Sequence, residues 1–430
     1  MEQTNGAVQR TTLDNGLTVL TRELHHAPVT TFWLWYRVGS RNEGPGTTGI
    51  SHWVEHMMFK GTERFPKGAI DREIARLGGA FNAMTWLDFT AYYTTLPADH
   101  IEIAMQIEAD RMINSSFEPA ETEAERTVIL SELHMYENYP SFRLAQEVQA
   151  SAFHLHPYHH LTIGWENDLL TMTRDDLFHH YRMYYTPNNA IAVVVGDFDS
   201  EEMVAQIDTL YGTIPAGPAV PPVQFVEPSQ RGERRVSIHG PEPTPILAYA
   251  YKAPAATDPD FWPLTVLDTV LGGAKGVPMF GSSGNSRTSR LYRRLVDGGL
   301  AVSAGSGLLA TIDPYLFQIT VTVLPSTDRH DLETILDEEV ARFRAEPLTD
   351  EELARAKKQT RARMAMGLES MSSQGRGYGL ASVVATLGWF ENYLDSIDAV
   401  TAEAVQAAAQ RYLVPDKRTV GWYIPNNENG

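Results

Sequence analysis

Apolar residues along the chain form short strand-like runs separated by longer helical segments. The runs 30–38 and 245–252 are rich in aromatic and aliphatic residues, which favour strands, and a helix is predicted after each. Long helices are predicted at 98–114 and 326–346. In the first of these, three apolar residues fall close to one helical face, namely Ile103, Ile107 and Met112. The pattern predicts an α+β fold in which helices cover a mainly antiparallel sheet.

Proline marks the clearest boundary, because five prolines lie between residues 213 and 233. On either side of this boundary similar landmarks recur in the same order: an aromatic strand, an acidic helix start, and a Tyr–Pro segment before an apolar strand. Two homologous domains, at 1–213 and 234–430, are therefore predicted, joined by a Pro-rich linker at 214–233. The alternative is chance similarity between two α+β domains.

Composition and charge narrow the possible functions. The 430 residues contain 35 Lys and Arg against 54 Asp and Glu, a net charge of −19, which disfavours nucleic acid as a partner. There is no cysteine, so any metal must be held by His, Asp or Glu. Residues 1–10 lack the features of a secretory signal, and no run of about 18 uncharged apolar residues occurs. The sequence therefore predicts a cytoplasmic protein without a membrane span.

The segment 50–60 has the strongest chemical signal. It is apolar and free of Gly and Pro, so a helix is predicted, with Thr48 or Ser51 as its cap. His52 and His56 are four residues apart, which places both imidazoles on one face, as two ligands of one metal ion require. Glu55 points into the same region, where a carboxylate can take a proton from a metal-bound water.

A third ligand is expected on another helix. The predicted helix 121–138 carries Glu125 and Glu132, which are seven residues apart and so share a face beside apolar residues. A carboxylate next to an apolar stripe is costly to bury unless it has a partner, and a metal ion provides one. We predict Glu132 as the ligand and Glu125 as its neighbour.

With these residues the chain resembles the inverzincin zinc metallopeptidases, the family of pitrilysin, insulin-degrading enzyme and mitochondrial processing peptidase. It looks most like the zinc-binding subunit of a two-chain, bacterial-type processing peptidase. In the family the last ligand follows the second His by about 76 residues, as Glu132 follows His56. The resemblance implies one Zn²⁺ per chain on His52, His56 and Glu132, with Glu55 as general base and Glu125 as supporting acid. Further matches are 14–17, 78–83 with Thr85, 156–158 and 185–189.

The stretch 81–97 has the composition of a strand, and it follows two glycines. An exposed strand near the metal could take an extended peptide by strand addition, which resembles how the family binds substrate. Asn82 and Ala83 are the candidate substrate contacts. The alternative is an ordinary central strand.

The second half departs from the family pattern. Family members carry an Arg and a Tyr seven residues apart that reach toward the substrate carbonyl, and here Leu295 and Val302 occupy the matching positions. Neither side chain can stabilise an oxyanion. A register shift of one residue would place Arg294 there instead. Single-chain members contain four such units, whereas this chain has two, so it resembles half of a clamshell. A heterodimer with a homologous subunit that supplies the Arg/Tyr pair is therefore expected, with a homodimer as the alternative.

The expected function is that of a zinc endopeptidase subunit hydrolysing extended peptides or presequence-like segments inside a chamber. The alternatives are a non-catalytic structural or assembly subunit and a metal hydrolase of non-peptide bonds. Two other features are interpreted as structural. The His-rich tract 154–160 is expected to be a surface turn or packing around His156 and Tyr158. The Gly-rich segment 271–285 is expected to be a flexible loop, and it is a candidate for contact with substrate.

Overall fold

Two β-sheets and their flanking helices make up the structure, a computed structural model that describes residues 6–276 and 286–426. The part of the predicted Gly-rich loop at 277–285 lies outside the described residues. Among the described residues, no helix combines the length and the apolar character needed to cross a bilayer.

Six strands form the first sheet: β1 (Gln9–Thr12), β2 (Thr18–Glu23), β3 (Val29–Tyr36), β4 (Ala80–Thr85), β5 (Thr90–Pro97) and β6 (Ala190–Gly196). Their order is β1-β2-β6-β3-β5-β4. β2 and β6 are parallel, and the other neighbouring pairs are antiparallel. β3 and β6 are buried almost throughout, which accounts for their nearly unbroken apolar sequences.

Five strands form the second sheet: β7 (Arg234–Gly240), β8 (Ile246–Ala253), β9 (Ala301–Leu308), β10 (Tyr315–Val323) and β11 (Arg418–Pro425). Their order is β7-β11-β8-β10-β9, with β7 and β11 parallel and the other pairs antiparallel. If β1 is set aside, the strands of the first sheet follow the same order and the same directions. A duplicated α+β unit predicts this match, and the predicted fold class is confirmed.

Fifteen α-helices are present in the described part of the chain: α1 (Ile50–Met57), α2 (Ala69–Arg76), α3 (Ile101–Asn114), α4 (Pro119–Glu137), α5 (Pro140–Ala152), α6 (Glu166–Thr171), α7 (Arg174–Tyr184), α8 (Ser200–Tyr211), α9 (Phe261–Gly272), α10 (Arg329–Ala345), α11 (Asp350–Gly367), α12 (Met371–Val384), α13 (Leu387–Glu391), α14 (Tyr393–Ala399) and α15 (Ala402–Tyr412). The two long helices predicted from the sequence correspond to α3 and α10. The helix of the His motif ends at Met57, three residues earlier than predicted.

The chain forms two compact units that exchange segments. Among the described residues, one unit contains those within 1–133, 160–224 and 368–383. The other contains those within 134–159, 225–367 and 384–430. Each sheet is thus packed with one helix from the opposite half of the sequence: α5 packs on β7, β8 and β11, and α12 belongs to the unit of the first sheet. The contiguous domain limits expected from the sequence stay a prediction, and the compact units follow a different division.

The stretch 81–97 forms a hairpin, so the prediction of one strand was wrong. β4 and β5 pair antiparallel, with Thr85 opposite Thr90, and the four residues between them form the loop. β4 is the edge of the sheet, whereas β5 lies between β4 and β3. Asn82 and Ala83 are therefore on an edge strand, where one side of the backbone is free of a partner strand among the described residues.

Candidate metal centre

Helix α1 places two imidazoles side by side. The Nε2 atoms of His52 and His56 are 3.2 Å apart, and their rings meet edge to face with centroids 4.6 Å apart. This contact follows from their spacing of four residues, which puts both side chains on one helical face. The two nitrogens point toward a common position beside α1.

Glu132 on α4 completes a triangle of donor atoms. Its Oε2 atom lies 3.7 Å from His52 Nε2 and 3.6 Å from His56 Nε2. In a tetrahedral zinc site with bonds of about 2.0–2.1 Å, ligand atoms are separated by about 3.3 Å. The observed separations are close to that value. Among the described residues, no other group of three or more His, Asp or Glu brings its donor atoms together in this way.

Glu125 orients the ring of His56 by accepting a hydrogen bond from its Nδ1 atom. The Nδ1 atom of His56 lies 2.8 Å from Glu125 Oε1, so the ring donates a proton there and presents the Nε2 lone pair toward His52 and Glu132. Lys60 forms an ion pair with the other carboxylate oxygen. Burial raises the pKa of Glu125, but the hydrogen bonds from His56 and Lys60 outweigh it, so that the pKa falls below its usual range.

The two imidazoles differ in their electrostatic surroundings. Burial and the neighbouring His56 lower the pKa of His52 to about 3, so His52 is neutral at pH 7 and its nitrogen is available to a metal ion. Burial acts in the same direction on His56, but the hydrogen bond to Glu125 and the charges of Glu55, Glu125 and Glu132 outweigh it and raise its pKa. A cation at this position would replace the proton that these carboxylates attract.

Glu55 lies on the same helix in a buried position. Its Oε2 atom accepts a hydrogen bond of 2.6 Å from the hydroxyl of Thr85, the last residue of β4. Burial raises the pKa of Glu55 to about 7, against the opposing effect of the Thr85 hydrogen bond. A carboxylate with a pKa near neutral is suited to accept and return a proton. The sequence marked Thr85 only as a match to the family, and its contact with Glu55 was not predicted, because a hydrogen bond between a strand end and a helix has no local signature.

Glu43 caps the N-terminus of α1, although it lies several residues before the start of that helix. α1 begins after Gly49, which has a φ of 88° and no side chain, so neither Thr48 nor Ser51 is the cap. The carboxylate of Glu43 instead accepts the backbone N–H groups of Gly49 at 2.7 Å and Ser51 at 2.9 Å. The side chain is buried, and this burial raises its pKa to about 7. The sequence prediction of a local cap was wrong.

The candidate substrate residue Asn82 and the residues at which the sequence departs from the family pattern lie on different elements. Asn82 is exposed, with its Oδ1 accepting the backbone N–H of Ala83 at 2.8 Å. Leu295 is buried in a short π-helix, Val302 is 54% exposed on β9, and Arg294 pairs with Glu338 at 3.2 Å.

The His-rich tract has a structural role. His156 is buried, its Nε2 atom lies 3.0 Å from an Asp313 carboxylate oxygen, and its Nδ1 accepts the backbone N–H of Tyr158 at 3.1 Å. The rings of His156 and Tyr158 are in contact, with centroids 4.3 Å apart. The predicted packing around these two residues agrees with this geometry.

The sheets, the edge strand and the three converging donors are the features of a metallopeptidase class, and comparison with known proteins gives the family. Residues 18–164 match the family model described as Insulinase (Peptidase family M16), and residues 171–360 match the model described as Peptidase M16 inactive domain. The chain belongs to peptidase family M16.

Individual relatives span nearly the whole chain. An uncharacterised zinc protease of Mycobacterium leprae is 29% identical over 414 residues, covering 95% of this chain and 90% of that protein. The β subunit of mitochondrial-processing peptidase from Lentinula edodes is 28% identical and covers 94% of this chain and 86% of its own length. The crystal structure of a protease from Helicobacter pylori has a TM-score of 0.92 at 26% identity, covering 98% of this chain and 100% of the other.

Proposed function

We propose that the chain is a zinc-dependent endopeptidase subunit that hydrolyses extended peptides or presequence-like segments inside a chamber and binds one Zn²⁺. One observation carries the proposal. The donor atoms of His52, His56 and Glu132 converge at separations close to those of a tetrahedral site, beside the buried carboxylate of Glu55. The names of the zinc-protease relatives support the choice of metal.

Each residue of the site has a role in this proposal. His52, His56 and Glu132 hold the metal, and Glu125 orients His56 through Nδ1. The zinc ion, when bound, supplies a water of lowered pKa and polarises the scissile carbonyl. Glu55 takes a proton from the attacking water and later returns it to the amine nitrogen that leaves, so no net proton is consumed at the carboxyl group.

The peptide is proposed to bind along β4. This strand is the edge of its sheet and lies directly before Thr85, which contacts Glu55. An extended peptide can pair with the free backbone groups of such an edge, and pockets for alternate side chains then give specificity. Asn82 and Ala83 are the proposed contacts.

A second chain is proposed to complete the active site. Leu295 and Val302, at the positions matched to the family's Arg and Tyr, offer no hydrogen-bond donor to an oxyanion. One relative is named as the β subunit of a processing peptidase, which is consistent with a two-chain enzyme. A heterodimer with a homologous subunit is proposed, and a homodimer is the alternative. The cytoplasmic location stays a prediction.

The test compares the wild-type chain with Glu55→Gln, each alone and co-expressed with a partner of the same fold. We measure zinc content and the cleavage of a peptide library. The expected result is that Glu55→Gln keeps zinc and loses hydrolysis, whereas Glu63→Gln, which changes an exposed carboxylate, behaves as the wild type. Unchanged cleavage by Glu55→Gln would overturn the assignment of the base.

The same experiment tests the alternative of a non-catalytic assembly subunit. That alternative is favoured by Leu295 and Val302, which stand at the positions matched to the family's Arg and Tyr. In that case the wild-type chain binds zinc but shows no hydrolysis with any partner. Robust cleavage by a rigorously purified single chain would instead contradict the need for a partner.

A further inference from the structure

The hydroxyl of Thr85 joins the edge strand to the proposed general base. Thr85 and Glu55 are 8% and 9% exposed, so their 2.6 Å hydrogen bond is largely shielded from water. A hydrogen bond to a charged group in a buried environment is stronger than one between neutral groups. This hydrogen bond fixes the orientation of the Glu55 carboxylate.

Thr85 is itself held in a rigid position. It closes the β4–β5 hairpin opposite Thr90. The hairpin loop has a backbone hydrogen bond from Trp86 to Phe89 of 2.8 Å, and it accepts further backbone hydrogen bonds from Ser40 and Arg41 at 3.1 and 2.8 Å. A group fixed in this way can orient a neighbouring carboxylate without first losing conformational freedom.

A second hydroxyl lies behind the first. The Oγ1 atom of Thr90 is 3.3 Å from that of Thr85, and it donates a hydrogen bond of 2.9 Å to the backbone carbonyl of Val38. Each hydroxyl has one hydrogen. While Thr85 donates to Glu55 and Thr90 donates to Val38, no hydrogen is left for the contact between the two threonines.

We propose that Thr85 is a positioning residue for Glu55: its hydroxyl, held in the hairpin, donates to the carboxylate and fixes the orientation of the base. This inference rests on the proposed function, in which Glu55 is the base. A hydroxyl can both donate and accept, whereas an isosteric methyl group can do neither. The proton itself moves between water, Glu55 and the leaving amine, and none is lost to the threonines.

The decisive variants are Thr85→Val, which removes the hydroxyl at nearly constant volume, and Thr85→Ser, which retains it. With the partner present, Thr85→Val is expected to lower kcat roughly 10- to 100-fold while KM and zinc affinity stay within about twofold of the wild type. Thr85→Ser is expected to recover kcat to within about threefold. Thr90→Val is expected to lower kcat by less than Thr85→Val. Thr85→Ala replaces Thr85→Val if the latter does not fold.

A matched control removes a hydroxyl elsewhere in the same hairpin. Thr95 on β5 donates its hydroxyl hydrogen to the Thr31 hydroxyl at 3.1 Å rather than to Glu55. Thr95→Val is expected to leave kcat within about twofold of the wild type. A comparable loss in this variant would mean that the effect comes from the sheet rather than from Glu55, and would overturn the proposal.

Two readouts do not depend on turnover by the zinc-loaded enzyme. In the zinc-free protein, the infrared carboxyl band assigned to Glu55 by its loss in Glu55→Gln is expected to shift in Thr85→Val and to return in Thr85→Ser. In the Glu55→Gln background, Thr85→Val is expected to leave the binding of an uncleaved peptide unchanged.

The outcomes separate this inference from the proposed function. If Glu55→Gln retains hydrolysis, the assigned base is wrong and the positioning role falls with it. If Glu55→Gln is inactive but Thr85→Val has wild-type kcat and an unshifted carboxyl band, the proposed function stands and the role of Thr85 is refuted.

Discussion

The Nδ1 atom of His56 lies 2.8 Å from Glu125 Oε1, so a carboxylate on one helix fixes the orientation of an imidazole on another. This relationship determines which ring nitrogen faces His52 and Glu132. Outer-shell carboxylates of this kind set the tautomer and the basicity of a metal-binding imidazole. The site therefore depends on more residues than the three whose donor atoms converge.

Replacing Glu125 should weaken metal binding without removing it. Glu125→Ala is expected to reduce zinc affinity roughly 10- to 100-fold, because the His56 ring loses its acceptor and Lys60 loses its counter-ion. A zinc competition titration with a chromogenic chelator measures this. The control is Glu121→Gln, a change on the same helix as Glu125 that alters an ion pair with Lys67; it should bind zinc normally. Wild-type affinity in Glu125→Ala would contradict the supporting role.

Removal of the external cap should destabilise the metal-binding helix. In Glu43→Ala the N–H groups of Gly49 and Ser51 lose their buried acceptors. The expected loss is roughly 1–3 kcal/mol in the free energy of unfolding. Urea unfolding followed by circular dichroism measures this, with exposed Glu63→Ala as the comparison. Equal midpoints for the two variants would show that the cap contributes nothing.

Glycine in α12 should resist substitution because of a tryptophan on β3. A methyl group on Gly379 would lie 2.1 Å from the indole of Trp35, which is fully buried. Gly379→Ala is therefore expected to lose roughly 1–3 kcal/mol of stability by overpacking, although alanine normally favours a helix. Gly388→Ala, where the nearest atom is 3.7 Å away, should show no loss. Thermal unfolding of both variants tests this, and a stable Gly379→Ala would refute the contact.

Lys252 should make the stability of the second unit depend on pH. Burial lowers its pKa to about 7, against the opposing effect of the Glu227 carboxylate 3.8 Å away. The unfolded chain binds this proton up to a pH near 10.5, so the destabilisation by Lys252 is full below about pH 7 and disappears as the pH rises toward 10.5.

The variant Lys252→Met tests this dependence. It is expected to be more stable than the wild type by roughly 1–3 kcal/mol at pH 6.5, and this advantage should shrink steadily between pH 7 and 10. Urea unfolding at several pH values gives the difference. Lys67→Met, at a position 59% exposed, should show no such trend. A stability difference between Lys252→Met and the wild type that does not change with pH would show that Lys252 affects the stability of the protein through packing alone.

The sequence was informative where the chemistry is local. The spacing of His52 and His56 predicts two imidazoles on one helical face, because helical periodicity is a property of the backbone. Glu132 was identified from its spacing on a second helix together with the family resemblance, and the three donors converge as expected. Strand composition likewise predicted β3 and β8, since aromatic and aliphatic residues favour strands wherever they occur.

The sequence by itself thus determined the α+β fold and the two helices α1 and α4, and it predicted the three donors whose atoms converge. Only the tertiary structure decided that Glu43 caps α1, that Thr85 orients Glu55, and that β4 and β5 form a hairpin with β4 at the edge. It also decided that the compact units exchange segments along the chain. The physical reason is that periodicity and residue preference act over a few neighbouring residues, whereas these contacts join segments brought together by burial of the whole core.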